Sequence, residues 1–160
     1  MTGYTDRGGG RIVVGVDGTT ASASAVRWAI REALLRQASL HLVFADDHEG
    51  RSRASYAGQP GAPQPDEDKA AGTGLLAAEQ LVSQALPPGR FSSERAGGSA
   101  ARVLIDRSAG AELLVLGSAY SSVRSVNDAW PPMGPVARAC LHGAACPLVI
   151  MASCDRAQRH

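Results

Sequence analysis

Arg11-Ile-Val-Val-Gly-Val-Asp17 followed by Gly18-Thr19-Thr20 is the stretch that decides the fold. The run is short, β-branched and apolar without alternation, as expected of a central parallel strand buried on both faces. It ends on an acid, and the glycine and two hydroxyl residues behind it form a turn with helix-capping candidates. From residue 21 to 37 the period changes. Val26, Ala29, Ile30, Ala33 and Leu34 make one helical stripe, with Arg27, Arg31 and Arg36 off it and Trp28 and Leu35 widening it.

The same alternation continues outward. Residues 40–45 read as a second strand. Residues 46–68, with Pro60, Pro63, Pro65 and an acidic close at Asp66-Glu67-Asp68, read as a long mobile loop. A helix over 69–86 is weakened by Gly72 and Gly74 and stopped at Pro87-Pro88-Gly89. Then follow a strand over 91–96, a short helix over 100–108, a buried strand over 112–117, a polar stretch over 118–133, a helix over 134–142 and a strand over 147–152. Residues 1–10 read as a flexible leader and 153–160 as a polar tail, which leaves one domain over 11–152. The order βαβαβαβαβ predicts an α/β fold on a parallel sheet with right-handed crossovers. Ligands in such folds bind beyond the carboxyl ends of the strands, which singles out Asp17-Gly18 and Gly117-Ser118.

Composition narrows the function. The chain has 160 residues, 44% hydrophobic and 19% charged, and sixteen basic against fifteen acidic residues give a net charge of +1. That balance lacks the clustered positive charge of a nucleic-acid binder. Lys69 is the only lysine, so the Gly-Lys-Ser/Thr of a P-loop is absent. Cys140, Cys146 and Cys154 are spaced by six and eight, which forms no C-x-x-C pair. Free thiols without an apolar leader suggest a cytoplasmic protein, and no apolar run approaches the ~18 residues of a membrane span. No G-x-S-x-G elbow occurs, and His41, His48, His142 and His160 form no metal-ligand spacing. We therefore expect no catalytic residues and no metal site. Asp17 reads equally as a ligand acceptor or as a turn cap, and Gly117 and Gly134 as phosphate approaches or as ordinary turns.

Ile12-Val-Val-Gly-Val-Asp-Gly-Thr with Ala25-Val-Arg-Trp-Ala, Ala111-Glu-Leu-Leu-Val-Leu-Gly-Ser, and Val136-Ala-Arg-Ala-Cys-Leu-His-Gly-Ala-Ala-Cys-Pro-Leu-Val-Ile-Met together resemble the universal stress protein family, in the family's order. The resemblance implies a five-stranded parallel sheet of order 3-2-1-4-5 with helices on both faces, an adenine nucleotide alpha hydrolase-like fold. It also implies a homodimer in which the last strand, with Leu148, Val149 and Ile150, pairs across a two-fold axis. An apolar edge strand needs such cover. An unknown protein partner, but neither nucleic acid nor membrane, is expected beyond that.

One branch of that family binds ATP through Gly, two residues, Gly, nine residues, Gly, then Ser or Thr. Carried over by position, the cofactor-binding residues would be Asp17, the Val43 backbone, Gly117, Ser118 and Gly134. The match then fails in three places. Tyr120 stands at the second glycine, Pro135 at the final hydroxyl, and sixteen residues separate Gly117 from Gly134 where the motif has twelve. Tyrosine adopts glycine's backbone conformations only at a cost, and proline removes both an N–H and a hydroxyl. A hydrogen bond to a charged group is worth roughly 1.5–3 kcal/mol, so two losses weaken binding on the order of a hundredfold. Arg124 could return one charge. The expectation is a non-enzymatic stress-response protein with weak or absent ATP binding. The alternative is a module that holds ATP or AMP through a rebuilt loop. A slow ATPase, with Asp128 as base, is the third reading.

Overall fold

The computed structural model describes residues 9–46, 65–118 and 134–152. Five strands alternate with four helices: β1 (Gly9–Val16), α1 (Thr20–Arg36), β2 (Ala38–Asp46), α2 (Pro65–Ala85), β3 (Phe91–Gly97), α3 (Ala100–Ser108), β4 (Leu113–Ser118), α4 (Pro135–Gly143) and β5 (Leu148–Ala152). All pairings are parallel and the sheet order is β3-β2-β1-β4-β5. The α/β class and the 3-2-1-4-5 order follow the expectation.

Alternating side chains divide the core between two layers. Ile12, Val14 and Val16 of β1, Leu40 and Leu42 of β2, and Leu113 and Val115 of β4 face α1 and α2, which supply Ala25, Val26, Ala29, Ala33, Ala78 and Val82. Val13, Val43, Leu114 and Leu116 face α3 and α4 and meet Val103, Leu104, Ala137 and Cys140. β1 and β4 are thus buried on both sides, which is why their paired segments carry no polar alternation.

Several boundaries differ from the expectation. β1 begins at Gly9, so Gly9 and Gly10 belong to the sheet and not to the leader, whose other residues lie outside the described ones. α2 begins at Pro65, and proline is favourable in a first helical turn, where its missing N–H is not needed. The helix therefore absorbs Asp66-Glu67-Asp68, and of the expected loop only residues 47–64 fall outside the described ones. In α1 the buried stripe runs through Ala21, Ser22, Ala25, Val26, Ala29, Ile30 and Ala33, while Leu34 is exposed. Cys140 is buried and Cys146 half-buried, and burial raises both thiol pKa values above the ordinary one. Cys154 lies outside the described residues.

Candidate functional site at the parting of β1 and β4

β1 and β4 pair only from Ile12–Leu113 to Val14–Val115, although β1 continues to Val16 and β4 to Ser118. β2 follows β1 to its end on one side, and β5 follows β4 to its end on the other. The sheet therefore splits at its centre toward the carboxyl ends, where the order of the strands reverses. Such a switch point leaves a crevice beyond the strand ends.

The turn after β1 is tightly built. Asp17 Oδ1 accepts from the Thr19 N–H at 2.9 Å and from the Thr19 hydroxyl at 2.6 Å. Thr19 caps α1, its oxygen accepting from the Ser22 N–H at 3.2 Å. The Asp17 N–H in turn donates to Ser22 Oγ at 3.2 Å. Gly18 links them at φ 82°, a left-handed conformation that a side chain strains. Asp17 thus serves as the turn's acceptor, one of its two expected roles. The carboxylate is solvent-exposed, and among the described residues its Oδ2 accepts no hydrogen bond. That oxygen can accept from a ligand hydroxyl or amine.

Gly117 and Ser118 are the last residues of β4, on the opposite lip of the crevice. A Cβ on Gly117 would overlap the Ala21 carbonyl and crowd the Ser22 nitrogen, so this glycine lets the first turn of α1 lie against the strand. Ser118 is buried and pairs with Ala152. Gly134 is the exposed N-cap of α4, with no side-chain cap bond and with Pro135 at the first helical position. A Cβ there would meet open space, so no packing demands glycine. Val43 lies on the second strand, as expected. It lies inside the ladder, paired with Gly15 and Glu94, three residues before the end of β2, with its side chain in the core. The carboxyl end of β2 is formed instead by Asp46. Tyr120, Arg124 and Asp128 lie outside the described residues.

The structure thus joins Asp17, Gly117 and Ser118 around one crevice through the first turn of α1. Reading the sequence missed two participants. Ser22 was hidden as one more helix residue. Gly74 reads as a helix weakness, yet a Cβ on it would overlap Gly18 Cα. A glycine inside an otherwise good helix was the signal available.

A second polar cluster lies elsewhere, between β2, β3 and α3. His41 Nε2 meets Glu94 Oε2 at 2.9 Å, and its Nδ1 meets Ser92 Oγ at 2.6 Å. Arg107 Nε donates to both Glu94 oxygens, at 2.9 and 3.1 Å, and its terminal nitrogen also donates to the same carboxylate. The Arg107 hydrogen bonds, then that of His41, lower the Glu94 pKa to about 2. Arg107 is raised by the same contact. Glu94 pairs with Val43 in mid-strand, so the cluster fastens the sheet edge and stays clear of the crevice. Among the described residues no group of three or more His, Cys, Asp or Glu side chains could hold a metal ion.

Residues 10–152 match the family model described as the universal stress protein family. The chain belongs to the universal stress protein family. It is 33% identical over 154 residues to universal stress protein Rv2623 of Mycobacterium tuberculosis, covering 93% of this chain and 50% of that protein. The chain therefore spans about half the length of the curated relatives it matches. Among solved structures, the universal stress protein from Archaeoglobus fulgidus in complex with dAMP aligns at TM-score 0.60 and 18% identity, over 88% of this chain and 96% of that one. A universal stress protein family protein from Arabidopsis thaliana with AMP bound aligns at 0.55 and 14%, over 93% and 96%. These likenesses concern the fold. Among the described residues, no helix is long and apolar enough to cross a membrane.

Proposed function

We propose that this universal stress protein domain works as a non-enzymatic homodimer whose strand-end crevice holds ATP weakly at best. The observation that carries the reading is the start of α4. Helix N-termini hold phosphate oxygens through free N–H groups and capping hydroxyls. Here Pro135, at the first helical position, gives neither an N–H nor a hydroxyl. Isothermal titration with ATP and magnesium tests it. A dissociation constant weaker than about 100 μM is expected, on the hundredfold loss estimated for two missing phosphate contacts. Micromolar ATP affinity overturns the reading.

A second reading is a regulatory module for an adenine nucleotide with fewer phosphates, such as AMP. The exposed Asp17 favours it, because one oxygen is fixed by Thr19 while Oδ2 accepts nothing among the described residues. The relatives solved with dAMP and AMP support it by analogy. AMP that binds the wild type at least as tightly as ATP, and not Asp17→Ala, places this reading first. Turnover is not part of either reading, and phosphate release from ATP is expected to stay at the buffer rate.

The homodimer rests on β5. Leu148, Val149, Ile150 and Met151 are each half-buried on an edge strand without a charge, a surface that a second copy of the strand would cover.

A further inference from the structure

We propose that Gly74 of α2 is a positioning residue for Asp17, coupling the seating of α2 to the ligand-ready form of the β1–α1 turn. The proposal rests on Asp17 serving as the nucleotide acceptor.

Two glycines interrupt the first half of α2, and the structure treats them differently. A Cβ on Gly72 would meet nothing within 4 Å. A Cβ on Gly74 would overlap Gly18 Cα and stand 3.1 Å from Gly18 N. Glycine inside a helix destabilises it relative to alanine, and only at 74 does the structure give a compensating reason. The obstacle is backbone, so no side-chain rotation relieves it. Gly18 itself has little room to retreat. It sits at φ 82°, between an aspartate and a threonine bonded to each other. On the α1 side the same turn is pinned by Gly117 of β4, which packs against Ala21 and Ser22.

The turn is therefore gripped between α2 and β4 at two glycine contacts. A side chain at 74 has two outcomes. Either α2 lifts away, or Gly18 shifts and carries the Asp17 carboxylate with it. Both loosen the hydrogen bonds from the Thr19 and Ser22 amides that define the turn. Coupling of this kind is reciprocal, so a nucleotide on Asp17 steadies α2.

The test compares Gly74→Ala with Gly72→Ala on the full chain, by amide hydrogen exchange and by AMP titration. In Gly74→Ala the Thr19 and Ser22 amides are expected to exchange at least about tenfold faster, with Val14 and Val115 unchanged, and AMP affinity to fall about tenfold. Gly72→Ala is expected to match wild type on both. AMP is also expected to slow exchange of wild-type α2 around residues 74–78. Wild-type protection of Thr19 and Ser22 in Gly74→Ala overturns the proposal. So does Gly74→Ala failing to fold while Gly72→Ala folds, which assigns the contact to stability alone. If wild type binds no AMP, the nucleotide reading fails separately, and the exchange comparison still decides whether Gly74 positions the turn.

Discussion

The sheet has two edges, and they are built on opposite principles. At β3, four consecutive residues each have a polar partner. Ser92 meets His41, Ser93 donates to Glu79 of α2, Glu94 holds Arg107 and His41, and Arg95 reaches Asp46. At β5, Leu148-Val-Ile-Met151 offers no polar side chain at all. Leu148 and Ile150 touch the α3–α4 core, and Val149 and Met151 touch the α1–α2 core, yet all four keep partial exposure. Charges and anchored polar groups discourage a further strand from adding to an edge, whereas a short apolar edge asks to be covered. One edge is thus finished within the chain, and the other is left apolar, which is what the proposed homodimer requires.

Backbone direction gives the most severe test of that contrast. The Leu114 N–H donates to Pro147 O at 3.0 Å, so Val149 also points at β4, and the Leu148 and Ile150 amides point outward. The Leu40 N–H donates to Arg90 O at 2.9 Å, so the Ser93 amide points outward from β3 in the same way. Proline at an outward position removes an edge donor while sparing the internal ladder. Ile150→Pro is expected to dissociate the dimer. Two symmetric losses of about 1.5 kcal/mol each raise the dissociation constant roughly a hundredfold, readable by sedimentation equilibrium. Ser93→Pro is expected to leave the association state unchanged. Equal effects at the two edges, or a wild type that is monomeric at all concentrations, would break the contrast.

The next effect concerns the anchoring of β3. Glu94→Gln keeps the shape but removes the charge that Arg107 and His41 grip. A loss on the order of 1 kcal/mol is expected at neutral pH, kept small by solvent screening of a partly exposed group. The pH dependence has a definite sign. The Glu94 pKa is depressed to about 2 from an ordinary 4.5. Its contribution is therefore complete above the ordinary value and disappears as pH falls toward the folded one. Urea unfolding of wild type and Glu94→Gln should differ at pH 7 and converge near pH 2. A difference that persists at pH 2 would mean that packing, and not charge, fastens this edge.

Much of this architecture was legible in the residues. Uninterrupted apolar runs marked β1, β4 and β5; for β1 and β4 the reason is burial on two faces, which leaves no room for polar alternation. The polar edge β3 was visible mainly through the turn signals around it. The crevice was legible in part. Asp17 and Gly117 stand out where apolar runs end, but whether Gly117 faces a phosphate or a helix depends on where α1 lies, a long-range fact. The position of Val43 along β2 was not legible for a related reason, since only the pairing shows that the strand runs on to Asp46 and holds Val43 inside the ladder. Gly74 could be read only as a helix defect, because its partner Gly18 lies in another element. The His41–Glu94–Arg107 cluster spans three elements and has no local signature.

The smallest effect is the sharpest on mechanism. Arg95 donates twice to Asp46 Oδ2, at 3.1 and 2.8 Å, and its guanidinium lies 5.5 Å from the centre of the Phe44 ring. Asp46 closes β2 and Arg95 lies on β3, so the pair clamps the edge strand β3 to its neighbour β2 near their carboxyl ends. An exposed pair of this kind is worth about 0.2–1 kcal/mol, and a ring contact at an exposed site about 0.5–1. Arg95→Met keeps apolar area over Phe44 and removes the charge. Because Met retains much of the ring contact, the net loss is about 0.5–1 kcal/mol, and the midpoint of thermal unfolding should fall by roughly 1–4 °C, at about 2–4 °C per kcal/mol for a domain of this size. Salt then separates the two contributions. Added salt screens an exposed ion pair far more than a desolvated contact, so the gap between wild type and Arg95→Met should narrow from 0.05 to 1 M salt if the Asp46 bond dominates. A gap that stays constant assigns the clamp to the Phe44 ring. The β3 edge would then be closed by packing as well as by charge, and the contrast with β5 would rest on side-chain anchoring in general and not on electrostatics.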